Sequence, residues 1–362
     1  MRTAILLLAS FRVSVASDDF ATLLARAQVA VSAGDFELAI RQLAAAERLE
    51  PGNSAVAQLH AHLGGVLLQQ RKLDLALAQL LRARQAGWED PSIRLMLATL
   101  ENNLGAYSDA IRDAASLDSS AAATIPQRAT AAAIAGLAYK NQKRNQDAIR
   151  LLKHAIELAP SETAYLGLSE IYESSDQAGE NNKLLEQATV ALPGSQRIAL
   201  AFGRSLVNAG DNQRAVAILT GLTDPEARHW LAQAESSLGE FRKATEALQQ
   251  LALQKPDYPM IDIMIAQSLL KLDPPDYEQA LHFLDRAPTD PDVYYLRGKI
   301  YFSLGRYAEA VKPLQRAIEL GPTVSLPYYQ LGQVFQKLGR ETEAKEQFDK
   351  FRFLKSYNPP LR

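Results

Sequence analysis

The sequence contains no cysteine. Disulfides, thiolate metal sites, cysteine nucleophiles and a lipid anchor on an N-terminal cysteine are thereby excluded. Neither sign of charge is in excess, with 39 lysines and arginines against 41 aspartates and glutamates. A dedicated nucleic-acid binder normally shows a basic surplus, so no nucleic-acid partner is expected. No apolar run approaches the roughly 18 residues that a membrane-spanning helix needs, so no transmembrane segment is expected.

The motifs of common enzyme classes are missing as well. There is no G-x-x-x-x-G-K-[ST] loop, no G-x-G-x-x-G, no G-x-S-x-G and no H-E-x-x-H. Of the five histidines, His60 and His62 are closest in sequence. Two residues apart on a helix, they diverge by about 200° and cannot share a metal. The carboxylates read as solvated helix faces. No catalytic residue, cofactor or metal is expected.

What is present is a repeat. An alanine recurs in similar surroundings at Ala39, Ala76, Ala110, Ala148, Ala215, Ala244, Ala280, Ala310 and Ala344, with Asn181 in the one empty slot. The 305 residues from first to last make nine intervals of about 34 each. A second small residue lies twelve positions earlier: Ala27, Gly64, Ala98, Gly136, Ser169, Gly203, Ala232, Gly298 and Gly332. In the eighth copy it is Ala266, fourteen positions before Ala280. Two helices approach closely only where side chains are small, so one small residue on each predicts a nested helix pair. Alanine often stands seven places after the marker, as at Ala46, Ala83 and Ala317, where the next unit would stack.

The punctuation has the same period. Gly34, Gly105, Gly210, Gly239, Gly305 and Gly339 stand five residues before the marker, where glycine can end a helix in the left-handed conformation. Asp35, Asp211 and Glu240 follow three of them, placing acidic groups at the positive start of a second helix. Aromatics stand three before the marker at Phe36, Tyr107, Phe241, Tyr277 and Tyr307. Pro51, Pro160, Pro193, Pro256 and Pro322 close units twelve residues after it.

This pattern resembles the tetratricopeptide repeat family, whose 34-residue unit is two antiparallel helices. The clearest copy covers residues 291–324, with Tyr294, Gly298, Tyr301, Gly305, Tyr307, Ala310, Leu314, Ala317 and Pro322 in place and Arg297 where leucine is usual. The resemblance covers roughly residues 20–358 and implies an all-α, right-handed superhelical α-solenoid of about ten helix-turn-helix repeats. Residues 20–128 read as repeats one to three, with a linker near 118–128, and residues 129–358 as repeats four to ten. A second lengthened turn lies at Asp273-Pro274-Pro275-Asp276. Either joint is read as a longer edge loop or a bend.

Before the repeats, Arg2, an apolar run over residues 4–11, Arg12 and Ser14-Val15-Ala16 resemble a signal peptide over residues 1–16. The expectation is an exported or periplasmic protein, bacterial in style, with a cytoplasmic one as the alternative.

The resemblance also implies a binding face. In this family the first helix of each unit lines the concave side, and the residue after its small position points inward. Those residues are Glu170, Arg204, Gln233, Gln267, Lys299 and Gln333, preceded by Gln28, Gly65, Thr99 and Leu137 in the first half. Amide side chains both donate to and accept from a peptide backbone. Beside them lie His229, Trp230, Met260, Met264, Tyr295, Phe302 and Tyr329, of types favoured at interfaces. The expected function is a non-enzymatic scaffold that binds a protein or peptide on the concave face of repeats six to ten. Two alternatives remain open: a self-assembling subunit that uses the apolar C-terminal edge at Phe351, Phe353 and Leu354, and the regulatory arm of a multi-component enzyme. The family's three-helix lysine, arginine and asparagine set for a terminal carboxylate is absent.

Overall fold

The computed structural model describes residues 19–118 and 120–357. The signal-like segment and Asn358-Pro359-Pro360 lie outside the described residues. The described chain is all-α, with twenty helices and no strand. It divides between Ser175 and Asp176 into two compact units, each a helical solenoid.

The first unit holds α1 (Phe20–Ala33), α2 (Phe36–Leu49), α3 (Ser54–Gln69), α4 (Leu73–Gln85), α5 (Pro91–Asn103), α6 (Tyr107–Asp118), α7 (Ile125–Asn141), α8 (Asn145–Leu158) and α9 (Glu162–Ser174). The second holds α10 (Ala178–Ala191), α11 (Gln196–Asn208), α12 (Asn212–Leu219), α13 (Pro225–Ser237), α14 (Phe241–Gln254), α15 (Ile261–Leu269), α16 (Tyr277–Arg286), α17 (Pro291–Ser303), α18 (Tyr307–Leu320), α19 (Ser325–Lys337) and α20 (Glu341–Tyr357). By repeat position, α9 and α10 are the two helices of repeat five, and the boundary between units falls in their turn.

The repeat columns become the core. Nine of the marker residues are buried alanines, and Asn181 in the tenth slot is buried against Ser205, to whose hydroxyl it donates at 3.0 Å. Where the small residue of a first helix is glycine it faces a bulky side chain sixteen positions on. A Cβ added to Gly64 would meet Leu80 Cγ at 2.6 Å, and one added to Gly136 would meet Leu152 Cγ at 2.8 Å. In the last repeat Gly332 lies under the Phe348 ring. The leucine wedges Leu80, Leu152 and Leu314 are fully enclosed, each contributing roughly 1.5–3 kcal/mol of apolar burial. Stacking between pairs joins these side chains into clusters that span neighbouring repeats, one from Leu23 to Leu100, one around Leu117 and Ile134, and one around Leu314 and Leu331.

The turns explain the glycine column. Gly305 takes φ 72°, and its amide donates to the Phe302 carbonyl at 3.0 Å to end α17. At three of the four places where glycine is missing from the column the conformation persists: Arg71, Lys143 and Asp176 take φ 58°, 63° and 54°, whereas the fourth is Pro275 in the lengthened turn of repeat eight. The side chains at these three turns adopt the left-handed conformation at a cost. Asp35 and Asp211 accept the amides of Leu38 and Arg214 as N-caps. Glu240 makes no cap bond and instead pairs with Lys243 at 2.8 Å. The five column aromatics each begin a second helix. After the serine- and alanine-rich stretch, Thr124 and Gln127 form a capping box that starts α7, and α7 packs on both α5 and α6.

Candidate functional site

The residue after each small position lies about 100° further round its helix and so leaves the buried seam. Gln233, Gln267 and Lys299 are exposed, and Arg204 and Gln333 are half-buried. Glu170 belongs to the first unit, where it is ion-paired with Lys140. The other five stand on α11, α13, α15, α17 and α19 of the second unit.

Two of these amides meet in one groove. Between α13, α14 and α15 a depression of about 220 Å³ is lined by His229, Gln233, Met264, Gln267, Ser268 and Lys271, over an apolar floor that includes Leu248. Four of the six come from the expected set. Burial lowers the His229 pKa, opposed by the Glu226 carboxylate, and the ring lies 5.7 Å from Tyr258 and 5.4 Å from Trp230. Its Nδ1 is buried without a hydrogen-bond partner among the described residues. The groove thus offers a neutral imidazole, two amides, the Ser236 hydroxyl and one ammonium group around a thioether, while the buried Ser268 hydroxyl is bonded to Thr245 and the Phe241 carbonyl.

Arg204 and Trp230 stand beside this groove and meet through a residue absent from the expected set. Glu226 accepts the Trp230 indole N–H at 3.3 Å and lies 3.8 Å from the Arg204 guanidinium. It occupies the first turn of α13, and only a count of inward positions along that helix would have flagged it.

The aromatics divide. Tyr295 and Phe302 pack against the core cluster around Leu314 and Leu331, and burial raises the Tyr295 hydroxyl pKa. Tyr329 stays 40% exposed, accepts a hydrogen bond from the Gln333 amide at 3.3 Å and lies 5.1 Å from the Phe351 ring. Met260 is exposed and begins α15 in the left-handed conformation. At the terminal edge Phe351 and Leu354 are half-buried, whereas Phe353 is 66% exposed. Phe353 and Leu354 line a 460 Å³ depression with Pro322 and Tyr328.

One expectation fails. Not all carboxylates are solvated: Glu101 is 3% and Asp113 5% exposed, and Arg84 pairs with Asp113 at 2.5 Å. Burial, then the neighbouring Asp113, pushes the Glu101 pKa up to about 7. Glu235, equally enclosed, is pushed up to about 7 by burial and then by Glu240. Both stand three residues after the small position, in the column that holds Tyr139, Tyr172, Tyr301 and Phe335 elsewhere. An acid in an aromatic column was the available signal. Their enclosure makes them structural groups of the helix pairs. No described helix is long and apolar enough to cross a membrane.

Three family models match the sequence: tetratricopeptide repeat models over residues 24–91 and 129–162, and a TPR repeat model over residues 298–339. No curated protein matches. Among solved structures, MamA from Desulfovibrio magneticus RS-1 aligns at 22% identity over 47% of this chain and 99% of its own, with a TM-score of 0.42. MamA MSR-1 aligns at 22% over 45% and 97%, with a TM-score of 0.39. Yeast Tom70 aligns at 14% over 93% and 85%, with a TM-score of 0.37. Residue columns, helix pairs and repeat-model matches agree, and the chain belongs to the tetratricopeptide repeat family.

Proposed function

We propose that this repeat protein is a non-enzymatic scaffold that captures an extended peptide segment along the first helices of repeats six to ten. The observation that carries the reading is the groove in which Gln233 and Gln267, equivalent residues of neighbouring repeats, line one depression with His229 and Met264. Amides at repeat spacing suit a peptide backbone, because each offers a donor and an acceptor. Methionine adapts to varied side chains. Lys299, Tyr329 and Gln333 extend the same series.

A photoreactive residue at Gln267 tests it. The expected result is crosslinking of a protein partner from Gln267 and not from Arg242, which is exposed on the second helix α14. Crosslinking from Arg242 alone would move the interface off this face. Simultaneous Gln233→Ala, Gln267→Ala, Lys299→Ala and Gln333→Ala substitution should abolish capture while helicity stays unchanged.

The exposed Phe353 favours a second reading, self-association of two copies through the terminal edge. Light scattering across a concentration series tests it: a strict monomer removes it, and a dimer lost in Phe353→Ser supports it. Export rests on the segment before Asp18 alone. N-terminal sequencing of the mature protein should begin at Ser17, and a start at Met1 or Arg2 counts against export.

A further inference from the structure

One wall of the groove holds a buried acid. Glu235 stands in the last turn of α13, between the groove residues Gln233 and Ser236 in sequence. It is turned into the helix pair instead of the groove. In the other first helices of this unit the same position holds Leu206, Leu269, Tyr301 and Phe335. Its Oε2 is buried without a hydrogen-bond partner among the described residues. The charged groups that act on it are Glu240, Lys243 and Glu246, all from α14 or its cap. Lys243 already pairs with Glu240 at 2.8 Å. The carbonyl end of α13 adds negative potential. On the other helices packed against α13, Arg204 of α11 reaches Glu226 in the first turn, and Arg214 of α12 is held by Glu186 and Asp211. Lys271, beyond α15, lies over the Phe241 ring at 5.5 Å. An ionised Glu235 therefore faces two acids and one committed lysine.

We propose that Glu235 is a proton-dependent brace for the groove: with its proton it lets α13 close on α14, and without it that pair loosens and the α13 wall moves away from Gln267. The proposal rests on the reading of this depression as a peptide groove and adds how the groove is regulated. The seams on the two sides of α14 differ. Between α14 and α15 the buried Thr245 and Ser268 hydroxyls are bonded at 2.9 Å, and Ser268 donates to the Phe241 carbonyl at 3.3 Å. Between α13 and α14 the buried polar side chain is that of Glu235. Ionisation therefore acts on the wall that carries Gln233, while the floor at Leu248 stays joined to the Gln267 wall. Burial, then the Glu240 carboxylate, holds the carboxyl near 7 in the fold, against 4.5 ordinarily. The brace is complete below about pH 4.5 and is lost as pH rises through about 7. Opening that restores the ordinary value raises the α13–α14 opening constant by up to about tenfold between pH 6 and pH 8.

Two measurements on the full chain test this. Hydrogen exchange read by mass spectrometry gives protection factors for the amides of α13 and α14, with the pH dependence of intrinsic exchange divided out. Those factors should fall by up to about tenfold from pH 6 to pH 8 and should hold in Glu235→Gln. The chain has no cysteine, so spin labels can be placed at Gln233→Cys and Gln267→Cys alone, both at exposed positions. The distance between the labels should lengthen and broaden from pH 6 to pH 8, and should stay fixed in Glu235→Gln. Glu101→Gln, in the other unit, should change neither readout. Protection of α13 and α14 that does not vary with pH in the unmodified chain would overturn the brace. So would a loss of protection in Glu235→Gln at both pH values. Looser helices with an unchanged label distance would overturn the link to the groove. Neither readout uses a bound peptide, so the result is separate from that of the Gln267 crosslink, on which the peptide reading depends.

Discussion

Replacing Glu101 by glutamine should remove a loss of stability that the first unit undergoes as pH rises through about 7. In the unfolded chain this carboxyl ionises near its ordinary value of 4.5, and in the fold near 7. Between those values the folded form keeps a proton that the unfolded form has lost. The contribution of Glu101 to stability is therefore complete below about pH 4.5 and disappears as pH rises through about 7. The difference corresponds to an upper limit of about 3 kcal/mol between pH 4 and pH 8. Glutamine keeps the shape and a donor toward Asp113 and cannot ionise. Glu101→Gln should thus leave stability within about 0.5 kcal/mol at pH 5 and raise it by about 1–3 kcal/mol at pH 8. The two tryptophans make the assay local, since Trp88 lies in the first unit and Trp230 in the second. In a Trp230→Phe background, urea unfolding followed by Trp88 fluorescence at both pH values reads the first unit. No gain, or a loss, of stability at pH 8 in Glu101→Gln would refute the reasoning. It would mean that Glu101 is ionised in the fold and that Arg84 holds it as well as Asp113.

Four further outcomes follow from the same packing. Glu235→Gln should raise stability at pH 8 and not at pH 5, read from Trp230 in a Trp88→Phe background, because its pKa is raised in the same direction. Leu314→Ala removes the enclosed wedge against Gly298 and should cost about 2–5 kcal/mol. Leu253→Ala, 82% exposed, should stay within about 0.5 kcal/mol, both measured by urea-induced loss of circular dichroism. Lys143→Gly relieves a left-handed side-chain conformation at φ 63° and should stabilise by up to about 1 kcal/mol in thermal melts. A loss there would show that the lysine side chain makes contacts worth more than the strain.

The sequence by itself determined the period, the helix pair and the seam. Each repeat brings its small residue against a partner such as Leu80 or Leu314 within a few turns of chain, so steric demand is written at fixed local spacing. The same holds for the turn at Gly305. Even the Arg71, Lys143 and Asp176 turns sit in the glycine column, where position rather than residue type carried the signal. Spacing names a direction around a helix and not what stands opposite. Only the tertiary structure decided that Gln233 and Gln267 share a groove, that Glu226 joins Arg204 to Trp230, and that Tyr295 packs into the core. It also decided that Asp113 encloses a carboxylate pair with Glu101 under Arg84, 29 residues away. Charge and burial there depend on distances between neighbouring helices, which come into existence only when the repeats stack.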